Sequence, residues 1–454
     1  MNKKFSVLIK NKIKKFNKTI QIPGDKSTSI RALIFASQCI GKSKIKNLLV
    51  SQDVLNCVQA LRTLGVKIVK SNGIYKVYGN GLGSFRTNNK IKKIFVGNSG
   101  TTARILAGLL ATHPGKFYLY GDQSTNKRDM SRIINPLEKI GAFFYPKGKS
   151  KKKTLPLAIE GTTMPLAQNH IENIGSAQVK SSLLASFLNC PGISTIEEKK
   201  ISRNHTEILL QKISADIKIK KLKKGNLISL RGQKNLYAFD YTVGADPSSA
   251  AFLIALTLLT PGAKLTIHNC LCNKSRIGFY KLLKEKAGAN VKVKNLRKSS
   301  NSGELIGSII AKSSRLKAIN CPKELIPSLI DELPILFFIA ALTKGVSKFK
   351  NVGELKHKES NRLVESKKIL IKAGIKCKTT KDSMIIYGKD KIETKNKSII
   401  VNLQGDHRIN MSAAIFSLVT GIKTKINNFE TINTSFPTFI SLIKNLGGKI
   451  EIKK

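Results

Sequence analysis

Lysine and arginine side chains stand at the starts of several predicted helices in this 454-residue chain: Lys26, Arg31, Arg104, Lys180 and Arg408. A helix N-terminus carries partial positive charge and unpaired N–H groups, so further cations there are unfavourable by themselves. An anion that binds at the same place removes this cost. A serine cap beside a solvated cation explains any single case better, but it explains several cases in one register less well. The pattern as a whole therefore predicts anion-binding sites.

The number and positions of the arginines indicate which class of ligand these sites would bind. The chain has 13 arginines and 67 lysines. A composition this rich in lysine is expected to keep arginine mainly where a planar, two-pronged donor is needed. Six arginines fall within short polar motifs of the sequence, namely Arg31, Arg104, Arg128, Arg203, Arg362 and Arg408. We therefore expect a small polyanion with more than one phosphate or carboxylate group.

The elements that position these motifs recur six times along the chain. One recurring feature is a small residue between an apolar helix end and a strand-like run, centred on Gly65, Gly141, Ser214, Gly288, Gly374 and Gly447. The other is a polar cluster that begins an apolar helix, at Ser27, Ser99, Ser176, Ser248, Asp331 and Asp406. Both recur at intervals of 72–86 residues. This common register predicts six α/β units, each with two helices and several strands.

A unit of this size cannot cover its own sheet, so it must pack against its siblings. Six units can form either a ring or two clusters of three. The segment Phe239–Val243 lies between the third and fourth units. We therefore expect an α/β (α+β) protein with two domains of three units each.

Composition sets further bounds. The formal net charge of +53 raises the possibility of a basic, RNA-associated protein. The lysines are spread along the chain, however, and no helix-turn-helix or zinc-finger spacing is present, so no specific nucleic-acid partner is expected. The seven cysteines show no CxxC pair, which predicts reduced thiols and no metal site. The sequence also shows no signal peptide and no apolar stretch of membrane-spanning length, so a soluble cytoplasmic protein is expected.

Nine motifs in order resemble the 3-phosphoshikimate 1-carboxyvinyltransferase (EPSP synthase) family over nearly the whole chain. They are PGDKSTSIRA, GNSGTTAR, GDQSTNKRDM, SAQVKSSLLA, SRNHTE, DPSSAAF, IDELPIL, ELKHKESNRL and GDHRINMS. The resemblance implies transfer of the enolpyruvyl group from phosphoenolpyruvate to the 5-hydroxyl of shikimate 3-phosphate, with release of phosphate, in the shikimate pathway to chorismate and aromatic amino acids. It implies neither a cofactor nor a metal, and it implies a target of glyphosate. We expect a monomer.

The resemblance also implies the enolpyruvyltransferase fold, in which each domain is built from three βαβαββ-type units. Domain I is then formed by residues 1–23 and 244–454, and domain II by residues 24–243. The active site is expected in the cleft between the domains.

Site residues follow motif by motif from the same resemblance. Shikimate 3-phosphate is expected to contact Lys26, Ser27, Arg31, Ser176, Ala177, Gln178, Arg203, Asp331 and Lys358. Phosphoenolpyruvate is expected to contact Lys26, Gly100, Arg128, Gln178, Arg362 and Arg408. Catalysis is expected from Asp331 as base, from Glu359 on the methylene proton, and from Lys26 and Lys358. An acid, a base and fixed positive charge are what this addition and elimination require.

Four positions depart from the family pattern: Asp129, Asn204, Ala245 and Asn361. None of them is a proposed catalytic group, so the departures bear on supporting hydrogen bonds. The alternative enzyme is the enolpyruvyltransferase that acts on UDP-N-acetylglucosamine. That family places a cysteine in a loop of the second unit, whereas the interval from Gly97 to Gly141 contains none.

Overall fold

The computed structural model describes residues 4–85, 87, 90–146, 153–394, 397–403 and 405–453. The chain divides into two compact units. Unit 1 consists of Met1–Pro23, Gly244–Lys298 and Leu305–Lys454, and unit 2 of Gly24–Val243 and Ser299–Glu304. Predicted domain I contains Ser299–Glu304, which in the structure belongs to unit 2. Residues 1–3, 395–396, 404 and 454 of that predicted domain, and 86, 88–89 and 147–152 of predicted domain II, lie outside the described residues.

The described residues form short strands and helices that alternate along the chain. The strands are β1 (Ser6–Ile9), β2 (Asn17–Ile20), β3 (Ile40–Lys46), β4 (Lys67–Ser71), β5 (Ile74–Asn80), β6 (Lys92–Phe95), β7 (Gly115–Tyr120), β8 (Phe143–Pro146), β9 (Leu157–Gly161), β10 (Asn169–Glu172), β11 (Ile193–Glu198), β12 (Asp216–Lys221), β13 (Asn226–Arg231), β14 (Asp240–Thr242), β15 (Lys264–Leu271), β16 (Val291–Lys298), β17 (Leu305–Lys312), β18 (Asn320–Cys321), β19 (Gly345–Lys350), β20 (Lys376–Thr379), β21 (Ser383–Gly388), β22 (Ser398–Asn402), β23 (Lys423–Asn427) and β24 (Glu451–Lys453).

The helices are α1 (Lys26–Ser37), α2 (Gln52–Thr63), α3 (Gly100–Leu110), α4 (Gln123–Asn126), α5 (Ser131–Glu138), α6 (Ala177–Phe187), α7 (His205–Lys212), α8 (Pro247–Leu259), α9 (Gly278–Lys286), α10 (Ile326–Leu329), α11 (Leu333–Ala341), α12 (Arg362–Lys372), α13 (His407–Thr420) and α14 (Phe439–Asn445). Short 3₁₀ helices span Lys323–Leu325, Gly353–His357 and Phe429–Thr434. Among the described residues, no helix has the length and hydrophobicity needed to cross a membrane.

The strands form six four-stranded sheets within the described residues, three in each unit, and all six share one topology. The order β10-β11-β13-β12 is typical: β10 and β11 are parallel, and the remaining pairs are antiparallel. Helix α6 connects the parallel strands, and α7 leads into the final hairpin. The predicted α/β fold of six βαβαββ-type units is confirmed.

Three sheets take one strand from a distant part of the sequence. Strand β2 pairs with β15, and β14 pairs with β3. Strands β2 and β14 are therefore the first strands of βαβαββ repeats whose helices lie in a distant part of the chain. Strand β1 lies between β23 and β24 and completes the last sheet. These pairings complete the four-stranded sheets within unit 1 and within unit 2, even though the chain passes from one of these two units to the other.

Each unit buries three helices around its own core. Helices α1, α3 and α6 are almost entirely buried in unit 2, and α8, α11 and α13 in unit 1. After their first turns these helices consist mainly of apolar and small residues, which suits burial on all sides. Their N-termini begin at the polar motifs that the repeat identified, as predicted. The buried helices therefore place those motifs at the ends of rigid elements.

The six small residues predicted to end helices all have left-handed backbone geometry. Their φ angles lie between 62° and 109°. Each follows the end of one of six partly buried helices, which we call the outer helices: α2, α5, α7, α9, α12 and α14. Glycine adopts this conformation without cost, whereas Ser214, at φ 62°, does so against its side chain. The repeated small residue therefore reflects the same need for a positive φ angle after each of six helices.

Candidate active site

Lys26 begins helix α1 and lies beside a buried carboxylate. Its Nζ is 2.9 Å from Oδ2 of Asp53, and the Lys26 side chain keeps 16% of its surface exposed. Asp25 caps the helix by accepting a hydrogen bond from the backbone N–H of Thr28 at 2.7 Å. The ammonium group is thus held at the helix N-terminus by a neighbouring carboxylate while part of its surface stays accessible.

The start of helix α3 is crowded by guanidinium groups. A Cβ atom on Gly100 would lie 2.9 Å from Nη1 of both Arg104 and Arg128. Arg104 donates a hydrogen bond of 2.6 Å to Oε1 of Gln178, and Gln178 Nε2 donates to Oγ1 of Thr101 at 3.2 Å. These contacts join the first turns of α3 and α6. The absence of a side chain at Gly100 therefore makes room for two cations.

Arg31 is buried and binds three groups of its own unit. Its Nε donates to Thr206 Oγ1 at 2.8 Å, its Nη2 to Ser181 Oγ at 2.9 Å, and its Nη1 to the carbonyl of Ser27 at 3.1 Å. Burial lowers the pKa of Arg31 to about 10, and the positive charge of Arg203 adds to this effect while nearby carboxylates oppose it. The structure therefore places Arg31 as a cross-link between α1, α6 and α7.

Lys180 was expected among the cations that await an anion, and this expectation is wrong. Its Nζ is 2.9 Å from Glu198 Oε1 and 2.6 Å from Glu207 Oε1, and all three side chains are buried. Burial by itself lowers the pKa of Lys180, but the two carboxylates raise it above its ordinary value. The sequence could not show this, because the two glutamates lie 18 and 27 residues further along the chain.

Arg362, in unit 1, lies beside three carboxylates. Its Nε donates to Asp406 Oδ2 at 2.9 Å and its Nη2 to Glu359 Oε2 at 2.5 Å, while its Nη1 is 3.9 Å from Asp331 Oδ1. Burial alone lowers the pKa of Arg362, but Asp406, Glu359 and Asp331 together raise it well above its ordinary value. Nη1 is buried and has no hydrogen-bond partner among the described residues. One end of this guanidinium is therefore available to an acceptor that the described chain does not supply.

Asp331 lies just before helix α11 and faces three guanidinium groups. Besides Arg362, its carboxylate is 3.9 Å from Arg276 Nη1 and 3.9 Å from Arg408 Nη2. Arg408 Nη1 also donates to the backbone carbonyl of Asp331 at 3.2 Å. The carboxylate keeps 18% of its surface exposed. Two arginines at helix starts and one that precedes a helix thus surround a carboxylate that a small molecule can still reach.

Arg276 is a residue that the sequence reasoning missed. It precedes α9 and is buried, with Nη1 3.1 Å from Glu332 Oε1 and Nη2 3.5 Å from Asp246 Oδ1. Glu332 also accepts a hydrogen bond from the hydroxyl of Ser248. The arginine-usage argument applies to Arg276 as well, but its segment NKSRIGFY belongs to none of the recurring polar motifs.

Comparison with known proteins identifies the family. The model of the EPSP synthase (3-phosphoshikimate 1-carboxyvinyltransferase) family matches residues 10–443. The chain belongs to the EPSP synthase family. Two curated relatives named 3-phosphoshikimate 1-carboxyvinyltransferase illustrate the likeness: that of Acidiphilium cryptum is 37% identical over 434 residues, 95% of each protein, and that of Bacillus cytotoxicus is 35% identical over 433 residues, 95% of this chain and 98% of the relative.

Solved structures agree. EPSP synthase from Acinetobacter baumannii matches with a TM-score of 0.82 and 34% identity, over 99% of this chain and 100% of that one. The enolpyruvyl transferase NikO from Streptomyces tendae matches with a TM-score of 0.76 over 99% of both chains, at 11% identity. The second likeness is one of fold alone.

The remaining EPSP synthase motif residues lie at helix starts or beside them. Ser176 caps α6, where its hydroxyl accepts from the N–H of Val179 at 3.4 Å, and Ala177 begins that helix. Ser27 lies in the first turn of α1, and Lys358 follows the 3₁₀ helix Gly353–His357. All four are half-buried. Within each unit, the predicted residues therefore lie at the N-terminal ends of helices or in segments next to helices.

Two of the departures from the EPSP synthase pattern stabilise helix starts. Asn361 caps α12 by accepting from the N–H of Val364 at 3.4 Å, and Asp129 accepts from the N–H and the hydroxyl of Ser131 at the start of α5. Ala245 is buried. A Cβ atom on Gly244 would lie 2.9 Å from the Leu271 side chain, so glycine fits this close approach. Asn204 immediately precedes α7.

The described residues contain no group of three or more histidine, cysteine, aspartate or glutamate side chains arranged to hold a metal ion. The charged groups described above are mainly guanidinium and carboxylate. This arrangement suits the binding of a charged organic substrate and the movement of protons near it.

Proposed function

We propose that this chain transfers the enolpyruvyl group of phosphoenolpyruvate to the 5-hydroxyl of shikimate 3-phosphate, giving 5-O-(1-carboxyvinyl)-3-phosphoshikimate and phosphate. The supporting observation is the cluster in unit 1, where the Asp331 carboxylate faces Arg276, Arg362 and Arg408. Both substrates are phosphorylated carboxylates, and arginine forks bind such groups in pairs of hydrogen bonds. Membership of the EPSP synthase family supports the same reaction.

The first chemical step is addition to the double bond of phosphoenolpyruvate. The 5-hydroxyl oxygen forms a bond to the carbon that carries the phosphate, the hydroxyl loses its proton, and the methylene carbon gains one. We assign the role of base to Asp331, whose carboxylate is partly exposed, and delivery of the carbon proton to Glu359. A base and an acid on opposite sides of the reacting atoms are what such an addition needs.

The second step is elimination. The carbon–oxygen bond to phosphate breaks, phosphate leaves, and the methyl carbon formed in the first step returns its extra proton, which restores the double bond. We assign removal of this proton to Glu359, whose carboxylate Arg362 holds in place. Fixed positive charge stabilises the departing phosphate without reorganisation. We assign this stabilisation to Arg362, Arg408 and Lys358.

Unit 2 supplies the second set of cations. We propose that Lys26 and Arg128 bind anionic groups of the substrates, with Gly100 leaving space for them. We propose that six further residues of unit 2 contact shikimate 3-phosphate: Ser27, Arg31, Ser176, Ala177, Gln178 and Arg203. That both sets of residues serve one reaction is part of the proposal.

The deciding experiment mixes purified protein with shikimate 3-phosphate and phosphoenolpyruvate, without added metal, and measures phosphate release. Release that requires both substrates supports the proposal. A parallel reaction with UDP-N-acetylglucosamine as acceptor tests the alternative enzyme, for which no release is expected. Folded protein that releases no phosphate with shikimate 3-phosphate would overturn the proposal.

We also propose a cytoplasmic monomer. All seven cysteines are free and buried, as suits a reducing compartment. Sedimentation at several protein concentrations tests the monomer, and a mass that rises with concentration would contradict it.

A further inference from the structure

None of the reaction steps proposed above is assigned to Arg276 or to the two carboxylates that it contacts, Asp246 and Glu332. Arg276 and Glu332 keep 2% and 1% of their side-chain surface, and Asp246 keeps 6%. A buried carboxylate without a cation or several hydrogen bonds is strongly unfavourable. Arg276 lies within 3.1 Å of one of these carboxylates and 3.5 Å of the other. It therefore compensates two negative charges that the fold has taken out of water.

The same carboxylates fix backbone segments. Asp246 caps α8 by accepting from the N–H groups of Ser248 and Ser249, at 2.7 and 3.3 Å. Glu332 accepts the hydroxyl of Ser248 and immediately precedes α11. Through these two groups Arg276 joins the start of one buried helix to the start of another.

Asp331 is the residue next to Glu332, and Arg276 Nη1 is 3.9 Å from its Oδ2. We propose that Arg276 is a positioning residue for enolpyruvyl transfer: it holds the turn that presents Asp331 and balances the charge of Glu332 beside it. This inference rests on the function proposed above. It adds a residue that belongs to none of the nine family-like motifs.

The charged groups around Asp331 determine how replacing Arg276 should change the pH dependence of the reaction. Arg276 faces it from the segment before α9, Arg362 from α12, Arg408 from α13, and Glu332 from its own segment. Beyond these, Asp246 contacts Arg276, while Glu359 and Asp406 contact Arg362. Removing the positive charge of Arg276 leaves Glu332 unbalanced beside Asp331. Protonation of Asp331 then becomes easier, so a base at this position is lost at a higher pH than before.

The test uses three variants. Arg276→Met removes the charge at similar length, Arg276→Lys keeps the charge but loses the fork, and Arg276→Met with Glu332→Gln removes both partners. The matched control is Arg297→Met, because Arg297 is an exposed arginine of the same unit. For each protein, kcat, both KM values, the pH profile of kcat and the thermal midpoint are measured.

In Arg276→Met we expect kcat to fall by about tenfold or more, with smaller changes in KM, and the acid limb of the pH profile to move up by about one unit. The double variant should return the acid limb towards that of the wild type, because the unbalanced glutamate is gone. Arg276→Lys should keep the acid limb and lose part of kcat. The control should match the wild type.

A thermal midpoint that falls while kcat and the pH profile of the folded enzyme stay unchanged would overturn the inference, since Arg276 would then only hold the fold. If Arg276→Met does not fold, the double variant and Arg276→Lys decide, because both avoid an unbalanced buried glutamate at position 332. A wild type that releases no phosphate defeats the proposed function instead. The two failures are therefore distinguishable.

Discussion

Arg362 and Asp406 form a buried hydrogen bond of 2.9 Å between Nε and Oδ2. Arg362 is the first residue of α12, and Asp406 caps α13 through its other oxygen, which accepts from the N–H groups of Arg408 and Ile409. One carboxylate thus fixes the start of both helices. Because Arg362 and Arg408 both face Asp331, this bond determines how the two guanidinium groups are presented.

Asp406→Asn tests this link. Asparagine still caps a helix, but it has no charge to balance the buried Arg362. We expect the free energy of unfolding to fall by about 3 kcal/mol, because the buried Arg362 loses one of its carboxylate partners and keeps only Glu359 and the more distant Asp331. Urea unfolding measures the change. Asp122→Asn is the matched control, since Asp122 caps α4 and its second oxygen accepts from the Asn98 amide, a neutral group; an equal loss in both variants would contradict the explanation.

Asp331→Asn tests the proposed base. The amide keeps the size of the side chain but cannot accept the hydroxyl proton. We expect kcat to fall by about 100-fold or more while the thermal midpoint changes little. Asp240→Asn, in the exposed part of β14, is the control and should retain full activity. Comparable turnover by Asp331→Asn and wild type would remove Asp331 from the mechanism.

The sequence predicted the fold because each of its signals has a local cause. The backbone needs a residue with left-handed geometry after each outer helix and a polar group at the start of each buried helix. Both features therefore recur at similar intervals along the chain. Ser214 satisfies the same requirement as the five glycines, at φ 62°. The repeated pattern therefore identified the unit even where the residue type differed.

The partners of individual cations could not be predicted in the same way. Lys26 and Lys180 both stand at helix starts, yet Lys180 is buried between two glutamates and Lys26 stays partly exposed beside one aspartate. Those carboxylates come from other helices and strands, so their proximity depends on the tertiary fold. Arg276 was missed for the same reason, because its contacts with Asp246 and Glu332 join segments 30 and 56 residues away.

Lys180→Met tests the structural role of that lysine. It leaves Glu198 and Glu207 buried without this cation. We therefore expect the free energy of unfolding to fall by about 3–5 kcal/mol. Replacing both glutamates by glutamine in the same protein should recover most of the loss. Denaturant unfolding gives these values, and steady-state kinetics should show unchanged KM values in the recovered variant. A raised KM for shikimate 3-phosphate in that variant would instead make Lys180 a substrate contact.

Glu172→Gln tests the support of the segment that leads into α6. Burial by itself raises the pKa of Glu172, but His170 and the backbone N–H of Ile174 lower it below its ordinary value overall. A group whose pKa is lower in the folded state stabilises the protein above the pKa of the unfolded chain, and this stability is lost as the pH falls. We expect the variant to be less stable at pH 7 and to lose less stability than the wild type on acidification below pH 4.5, the ordinary value. Thermal midpoints from pH 7 to pH 3 measure this; parallel curves would contradict it.

Gly100→Ala tests the space at the start of α3. The added methyl group would lie 2.9 Å from Nη1 of Arg104 and of Arg128, so both guanidinium groups must shift. Both contacts are with the ends of long side chains, and alanine favours a helix more than glycine does, so the fold should remain stable. The shift strains the hydrogen bonds from Arg104 to Gln178 and from Arg128 to Asn98.

We expect the KM for phosphoenolpyruvate to rise in Gly100→Ala by about threefold to tenfold, because a displaced fork binds its anion less well. Glyphosate, a longer anion, should lose more affinity than phosphoenolpyruvate does. Inhibition constants measured against phosphoenolpyruvate check this, and the KM for shikimate 3-phosphate in the same variant is the internal control. Unchanged glyphosate inhibition in an active variant would show that neither guanidinium binds the inhibitor, and phosphoenolpyruvate would then require a site away from the start of α3.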